Sequence, residues 1–415
     1  MTRLPAAGRA SRASTPRIPL ARDPHLSLYL LIAACVAADL SFVPLLPSLR
    51  ASRGLSGPQA ALLLSAGTVA MIIAPVPLGQ LADRLGARRL LTGAGALVTV
   101  ASVILATADG FAALLVGRIL IGLTNAIIWT AGAALAGRPG AVARAIGAGG
   151  AGRLIGPLLA SALAGEAGAR AVFAAAAVLT LTTTIIFHHA NRQANPAAAS
   201  ESDQRAVAGP LRPALSNPSV RVAALGLLLL GFTEGAANLL APAQLHADGL
   251  TSASIGALGA LAAGVAFATV TLARRLGERP AAALLAASAT VALAVAWSIP
   301  AASTSVVAVA SFLIAFAVAR TLLNPASYLL ARQGAAETGA GTAITLGATN
   351  LLLGAGGLTG PLLASLGLAH PQLAPAVIAL LCLASATAIA CTARWRITGP
   401  AGRATPEQDQ APARR

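Results

Sequence analysis

The ten residues from Gly152 to Ser161 read GRLIGPLLAS, and 204 positions later Gly356 to Ser365 read GGLTGPLLAS. Eight of the ten positions are identical. Drift in a chain rich in Ala, Leu and Gly yields scattered matches, not a shared GxxxGPLLAS. Glycines four apart let helices approach closely inside a membrane. The proline that follows bends its helix and leaves one carbonyl without a donor. Other echoes recur at offsets near this one. Arg118 and Arg320 lie 202 residues apart, and DRLGARR (Asp83 to Arg89) is answered by RRLGERP (Arg274 to Pro280). The chain therefore reads as two parallel repeats of one apolar, helical unit.

Composition agrees with that reading. Of 415 residues, 56% are hydrophobic and 10% charged, with a mean hydropathy of +0.77. Soluble globular chains carry about 25% charged residues. A soluble enzyme, a disordered protein and a nucleic-acid-binding domain are excluded. The net charge of +16 does not restore the last of these, because the basic residues, all 29 of them Arg, stand singly between apolar runs. Cys35, Cys382 and Cys391 sit in apolar runs with no CxxC or Cys/His cluster, which leaves them as small packing residues. No cofactor and no metal are expected.

A bilayer-crossing helix needs about 20 mostly apolar residues. Twelve segments meet this: 26–47, 58–81, 90–108, 111–135, 143–165, 171–187, 220–242, 254–273, 281–300, 305–330, 341–366 and 373–393. The sixth is short and the fifth rich in glycine. The expected fold class is an all-α membrane protein of twelve helices in two pseudo-symmetric six-helix bundles. Its organisation is a disordered basic tail (1–24), an N-terminal bundle (25–187), a polar linker (188–218), a C-terminal bundle (219–396) and a second disordered tail (397–415). With both termini and the linker inside, 23 arginines fall on the inner side, and only Arg50, Arg53 and Arg170 on the outer side. That asymmetry places both termini in the cytoplasm and the protein in a plasma or inner membrane. Parallel repeats in such a chain are the organisation of secondary transporters, with the site between the halves.

The loop after the second span reads GQLADRLGARR, from Gly79 to Arg89. Together with the repeat, it resembles the loop motif of the major facilitator superfamily through Gly79, Leu81, Asp83, Arg84, Gly86, Arg88 and Leu91, with Ala87 where a basic residue is usual. The resemblance covers all twelve spans and, within the superfamily, looks like the twelve-helix drug–proton antiporter branch. GRILIGLTNA (Gly117 to Ala126) resembles the RxxxG motif of the fourth helix in that branch. Gly152, Gly156 and Pro157 resemble its fifth-helix motif, with Ala160 and Ser161 where glycines are usual. Asp39 followed by Pro44 and Pro47 resembles its first helix. The resemblance implies that the loop of Gly79, Asp83, Arg84, Gly86 and Arg88 latches one conformation. It also implies that Arg118 governs protonation of an acidic partner, and that transport is export.

Asp39, Glu234, Arg118, Arg153 and Arg320 are the charges expected inside spans, and a charge there marks a site by default. Asp39 and Arg118 each lie about eight residues from the outer ends of antiparallel spans, hence at similar depth. Asp39 is the proton carrier of choice, with Arg118 modulating it. Glu234 is the second candidate, as proton site or as a contact for a cationic substrate, with a structural pair to Arg320 or Arg153 as the other reading. Two acids against three arginines leave one positive charge uncompensated, so Arg153 or Arg320 is expected to meet an anionic or carbonyl-rich part of the substrate. Asn125, Trp129, Asn238, Asn324 and Asn350 are further cavity candidates. With 3% aromatic residues, an aromatic cage for hydrophobic cations is thin. The expected function is proton-coupled export of a small organic molecule by a monomer in the lipid bilayer, with protons and the substrate as partners and no nucleic acid. An uptake symporter or uniporter of the same fold is the alternative. A receptor or membrane enzyme is remote, because no HExxH, GxSxG or nucleotide-binding loop is present.

Overall fold

The computed structural model describes residues 24–74, 78, 81, 84–136, 139–165, 168–192, 215–275, 282–339 and 342–398. They form α1 (Pro24–Leu40), α2 (Phe42–Arg53), α3 (Gly57–Ile73), α4 (Ala87–Thr107), α5 (Phe111–Ala136), α6 (Pro139–Leu163) and α7 (Gly168–Arg192). After the linker come α8 (Pro218–Ala247), α9 (Ser252–Arg275), α10 (Ala282–Ala302), α11 (Val306–Thr338), α12 (Thr342–Leu366) and α13 (Leu373–Thr398). No strand occurs among the described residues. Among the described residues eleven segments are long and apolar enough to cross a membrane, with α1 and α2 counting as one, and α3 is a shorter apolar helix of 17 residues.

Several elements differ from their expected extents: the second span closes its continuous helix at Ile73 rather than at 81, the seventh reaches Ala247 and the twelfth Thr398. The first span breaks at Ser41, where the chain makes a turn between α1 and α2. Pro44 is the cause, because it has no N–H to offer the carbonyl of Leu40. The sixth span, expected as 171–187, runs from Gly168 to Arg192, and the basic residues His189 and Arg192 in its last turn suit the helix C-terminus. The tenth continues past Leu330 to Thr338, where Gly339 in the left-handed conformation closes it.

The two halves pack alike. Helix α1 lies on α6 as α8 lies on α12; α4 packs on α5 and α7 as α10 packs on α11 and α13. Lipid tails are as apolar as leucine, so helices associate here through close van der Waals contact rather than the hydrophobic effect. The repeated glycines make that contact. A Cβ on Gly152 would strike the carbonyl of Ala33, and one on Gly156 the carbonyl of Ala37. In the second half Gly356 and Gly360 meet the carbonyls of Leu228 and Phe232 in the same way. The motif that opened the sequence analysis is thus a seam joining the first and fifth helices of each repeat.

Between the halves, α3 packs on α12 and α6 on α9. Ser65 Oγ donates to the carbonyl of Leu358 at 2.9 Å, and Ser252 Oγ to Ser48 Oγ at 3.0 Å. Gly256 faces Pro157 and Ser161, and Gly354 faces Ile72.

Candidate functional site

Two charge clusters lie within the helices. The first joins α1, α3 and α5. Gly67 and Gly122 bring α3 and α5 so close that a Cβ on Gly122 would strike the Gly67 backbone. Arg118, one turn before Gly122, therefore lies along α3. Its Nε donates to the carbonyl of Leu63 at 3.1 Å, and its Nη1 to Asp39 Oδ1 at 2.6 Å. The guanidinium carbon sits 4.7 Å from the centre of the Phe42 ring, a cation–π position. Asn125, two turns along α5, donates through Nδ2 to Asp39 Oδ2 at 3.0 Å. Both carboxylate oxygens thus have a donor, yet the Asp39 side chain keeps 24% of its surface exposed while that of Arg118 keeps 6%. An arginine so enclosed is no interfacial snorkel. Breaking a buried pair of this kind costs about 3–5 kcal/mol, because it strands a charge.

The second cluster joins the halves. Arg153 on α6 donates through Nη1 to Glu234 Oε1 on α8. Arg320 on α11 donates through Nη1 to both oxygens of Glu234, at 3.3 and 3.4 Å. Side-chain exposure is 36% for Arg153, 21% for Glu234 and 16% for Arg320. One carboxylate serves two guanidiniums. Tyr328 on α11, two turns beyond Arg320, donates its hydroxyl to Asn350 Oδ1 on α12 at 2.5 Å. Asn324, one turn after Arg320, has a buried Oδ1 with no hydrogen-bond partner among the described residues.

The remaining candidates scatter. Gly79 and Asp83 lie outside the described residues. Gly86 has φ +85° at the start of α4, a left-handed turn that needs glycine, with Arg84 exposed and Arg88 half-buried beside it. Trp129 is half-buried, and its ring lies on Gly149, where a Cβ would come within 2.9 Å of it. Asn125 serves Asp39, and its own Oδ1 is buried and unpartnered. Asn238 is half-buried, one turn beyond Glu234. Sequence reasoning missed Phe42 and Tyr328. Phe42 lies three residues after Asp39, and Tyr328 eight after Arg320, on the same helical face. Those spacings, and the rarity of aromatic residues, were the available signals.

On the loop side, Asp109 between α4 and α5 accepts from Arg53 Nη1 at 3.0 Å and from Arg170 Nη2 at 2.9 Å. The Arg53 hydrogen bond, then the charges of Arg170 and Arg53, hold its carboxyl below the ordinary value of 3.8.

A sequence profile described as the Major Facilitator Superfamily matches residues 28–357. An MFS-type transporter, ppzB, of Metarhizium rileyi (strain RCEF 4871) is 36% identical over 117 residues, which is 26% of this chain and 24% of that protein; the match spans about a quarter of the relative's length. The crystal structure of a bacterial homolog to the human lysosomal transporter Spinster, inward-facing and unoccupied, superposes with a TM-score of 0.70 at 14% identity, covering 91% of this chain and 98% of that one. The crystal structure of the nucleoside transporter NupG follows at 0.68 and 15%, covering 90% and 99%. At such identities the likeness is one of fold.

Proposed function

The chain belongs to the Major Facilitator Superfamily, a multi-pass membrane transporter in fold, and on that premise we propose that it exports a small organic molecule from the cytoplasm in exchange for protons. The observation that carries the reading is the state of Asp39. Its carboxylate is deep in the helices and bonded to Arg118 and Asn125, yet a quarter exposed. A carboxyl in that setting is accessible to protons and tied to helices of the same half, so a change in its protonation alters what Arg118 holds. Arg118 bonds α1 to α3 at once, and α3 is also a contact helix to the second half through Ser65 and Leu358. Protonation at Asp39 is thereby connected to the surface on which the halves move. Alternating access then needs only that the cross-half contacts exchange faces.

Export rather than uptake rests on the resemblance of Gly152, Gly156 and Pro157 to the antiporter motif. In the structure Gly152 and Gly156 form the α1–α6 seam, repeated by Gly356 and Gly360 in α12, while Pro157 lies against Gly256 and Gly259 of α9, which supports a packing role. Direction is therefore the part of the reading that a transport assay decides. In everted vesicles with an imposed proton gradient, a panel of small antibiotics and dyes should contain compounds that accumulate only while the gradient holds. Accumulation in right-side-out cells instead would establish the uptake symporter.

A further inference from the structure

We infer that the pair Arg153 and Arg320 binds an anionic group of the substrate, a carboxylate or similar oxyanion, and that the substrate gains this place by displacing Glu234 from Arg153. The inference rests on the transporter reading and deepens it by naming a substrate class.

The first ground is stoichiometry. Two guanidiniums present ten N–H donors, and the bonds found among them use one Nη1 from each, all on Glu234. The cluster carries a net charge of +1 within the helices, where such a charge is costly unless paired. The second ground is access. Arg153 is the most exposed member, at 36%, so a ligand reaches it without unpacking a helix. The third is the neighbourhood. Asn324, one turn from Arg320, offers a buried oxygen with no partner among the described residues, an acceptor for an N–H or O–H on the same ligand. A planar guanidinium holds a carboxylate through two parallel bonds, so Glu234 already shows the ligand chemistry the site accepts.

The geometry also gives the exchange a consequence. Glu234 and Arg320 belong to the second half, whereas Arg153 belongs to the first. When a ligand anion takes Arg153, Glu234 keeps Arg320 and this charged bond between the halves is gone. Substrate binding thus releases a tie across the translocation path, and an empty site restores it.

The test is an equilibrium binding measurement in lipid nanodiscs, with no gradient applied. Thermal unfolding is followed against benzoate and salicylate, with benzamide and salicylamide as neutral counterparts. The carboxylates should stabilise saturably and the amides should not. In Glu234→Gln, with the internal competitor neutralised, benzoate should bind about tenfold more tightly, within the usual range of coupling between sites. Should that variant fail to fold, Glu234→Asp keeps the charge, draws it back by one methylene and should tighten benzoate in the same direction. Arg320→Gln should abolish the preference for carboxylate. Equal effects of acid and amide in wild type and variant alike, or benzoate affinity unchanged on altering Glu234, would overturn the inference. The outcome is independent of proton coupling. A protein that binds benzoate this way but moves no protons retains the anion site and loses the coupling, and the converse result loses the site alone.

Discussion

Arg153, from the first half of the chain, donates to Glu234, from the second. This is a charged bond between helices α6 and α8 within the membrane-spanning bundle. Because Arg320 shares the same carboxylate, the bond has an alternative, and a tie with an alternative is suited to being made and broken in each cycle.

The pair should show coupling in a double-mutant cycle. Arg153→Gln, Glu234→Gln and both together, compared by thermal unfolding in detergent, should give an interaction of about 1–2 kcal/mol. That is below the cost of breaking a fully buried pair, because the Arg153 side chain is 36% exposed. Additive single effects would mean that the two residues are neighbours without a working bond.

Arg118→Lys should be nearly as damaging as Arg118→Ala. An ammonium cannot serve the Leu63 carbonyl and Asp39 Oδ1 together from one planar group, as the guanidinium does. Expression and thermal stability should both fall, and Asp39→Asn introduced with Arg118→Leu should recover part of the stability by removing the stranded charge. No recovery in the double variant would contradict the pairing.

The glycine seam predicts a sharp contrast among alanine substitutions. Gly156→Ala and Gly360→Ala place a methyl against backbone carbonyls that cannot move aside, and overpacking of this kind costs about 1–3 kcal/mol. Gly147 and Gly264 face open space, so alanine there should be neutral or stabilising by about 0.4–1 kcal/mol. Equal effects at the four sites, read as folded yield after membrane extraction, would remove the seam.

Acid should act on Asp109 in a defined direction. Its carboxyl is held below the ordinary value by the Arg53 hydrogen bond and by the Arg170 and Arg53 charges. A depressed folded value means that the contribution is full above the ordinary 3.8 and is lost as pH falls through the lower folded value. Asp109→Asn should therefore lower the melting temperature slightly at pH 7 and leave it unchanged at the acid end. The effect is small because the Asp109 side chain is 76% exposed. A larger loss in acid than at pH 7 would reverse the sign and refute it.

Much of this was legible along the chain. Span count follows from run length, and the duplication from GxxxGPLLAS; the structure then gave both copies the same seam. The common depth of Asp39 and Arg118 follows from counting residues along antiparallel helices. What counting cannot supply is rotation about each helix axis. Asn125 looked like a cavity residue until Asp39 was seen to take its amide. The ring of Trp129 lies on Gly149, a contact that run length does not show. The choice of Glu234 by both Arg153 and Arg320 depends on how α6, α8 and α11 face one another, which is set by the glycine contacts of the whole bundle rather than by any local run. The break at Ser41 was latent in Pro44, but the consequence of a proline four residues on was not drawn from the sequence.

The central claim, that Asp39 carries the proton, is tested most directly by separating coupling from passage in proteoliposomes loaded with a transported compound. Wild type should show both gradient-driven accumulation and exchange of external for internal substrate at equal pH. Asp39→Asn should keep the exchange and lose the gradient-driven accumulation. Accumulation that persists in Asp39→Asn at the wild-type level would contradict the account and move the coupling away from this carboxylate.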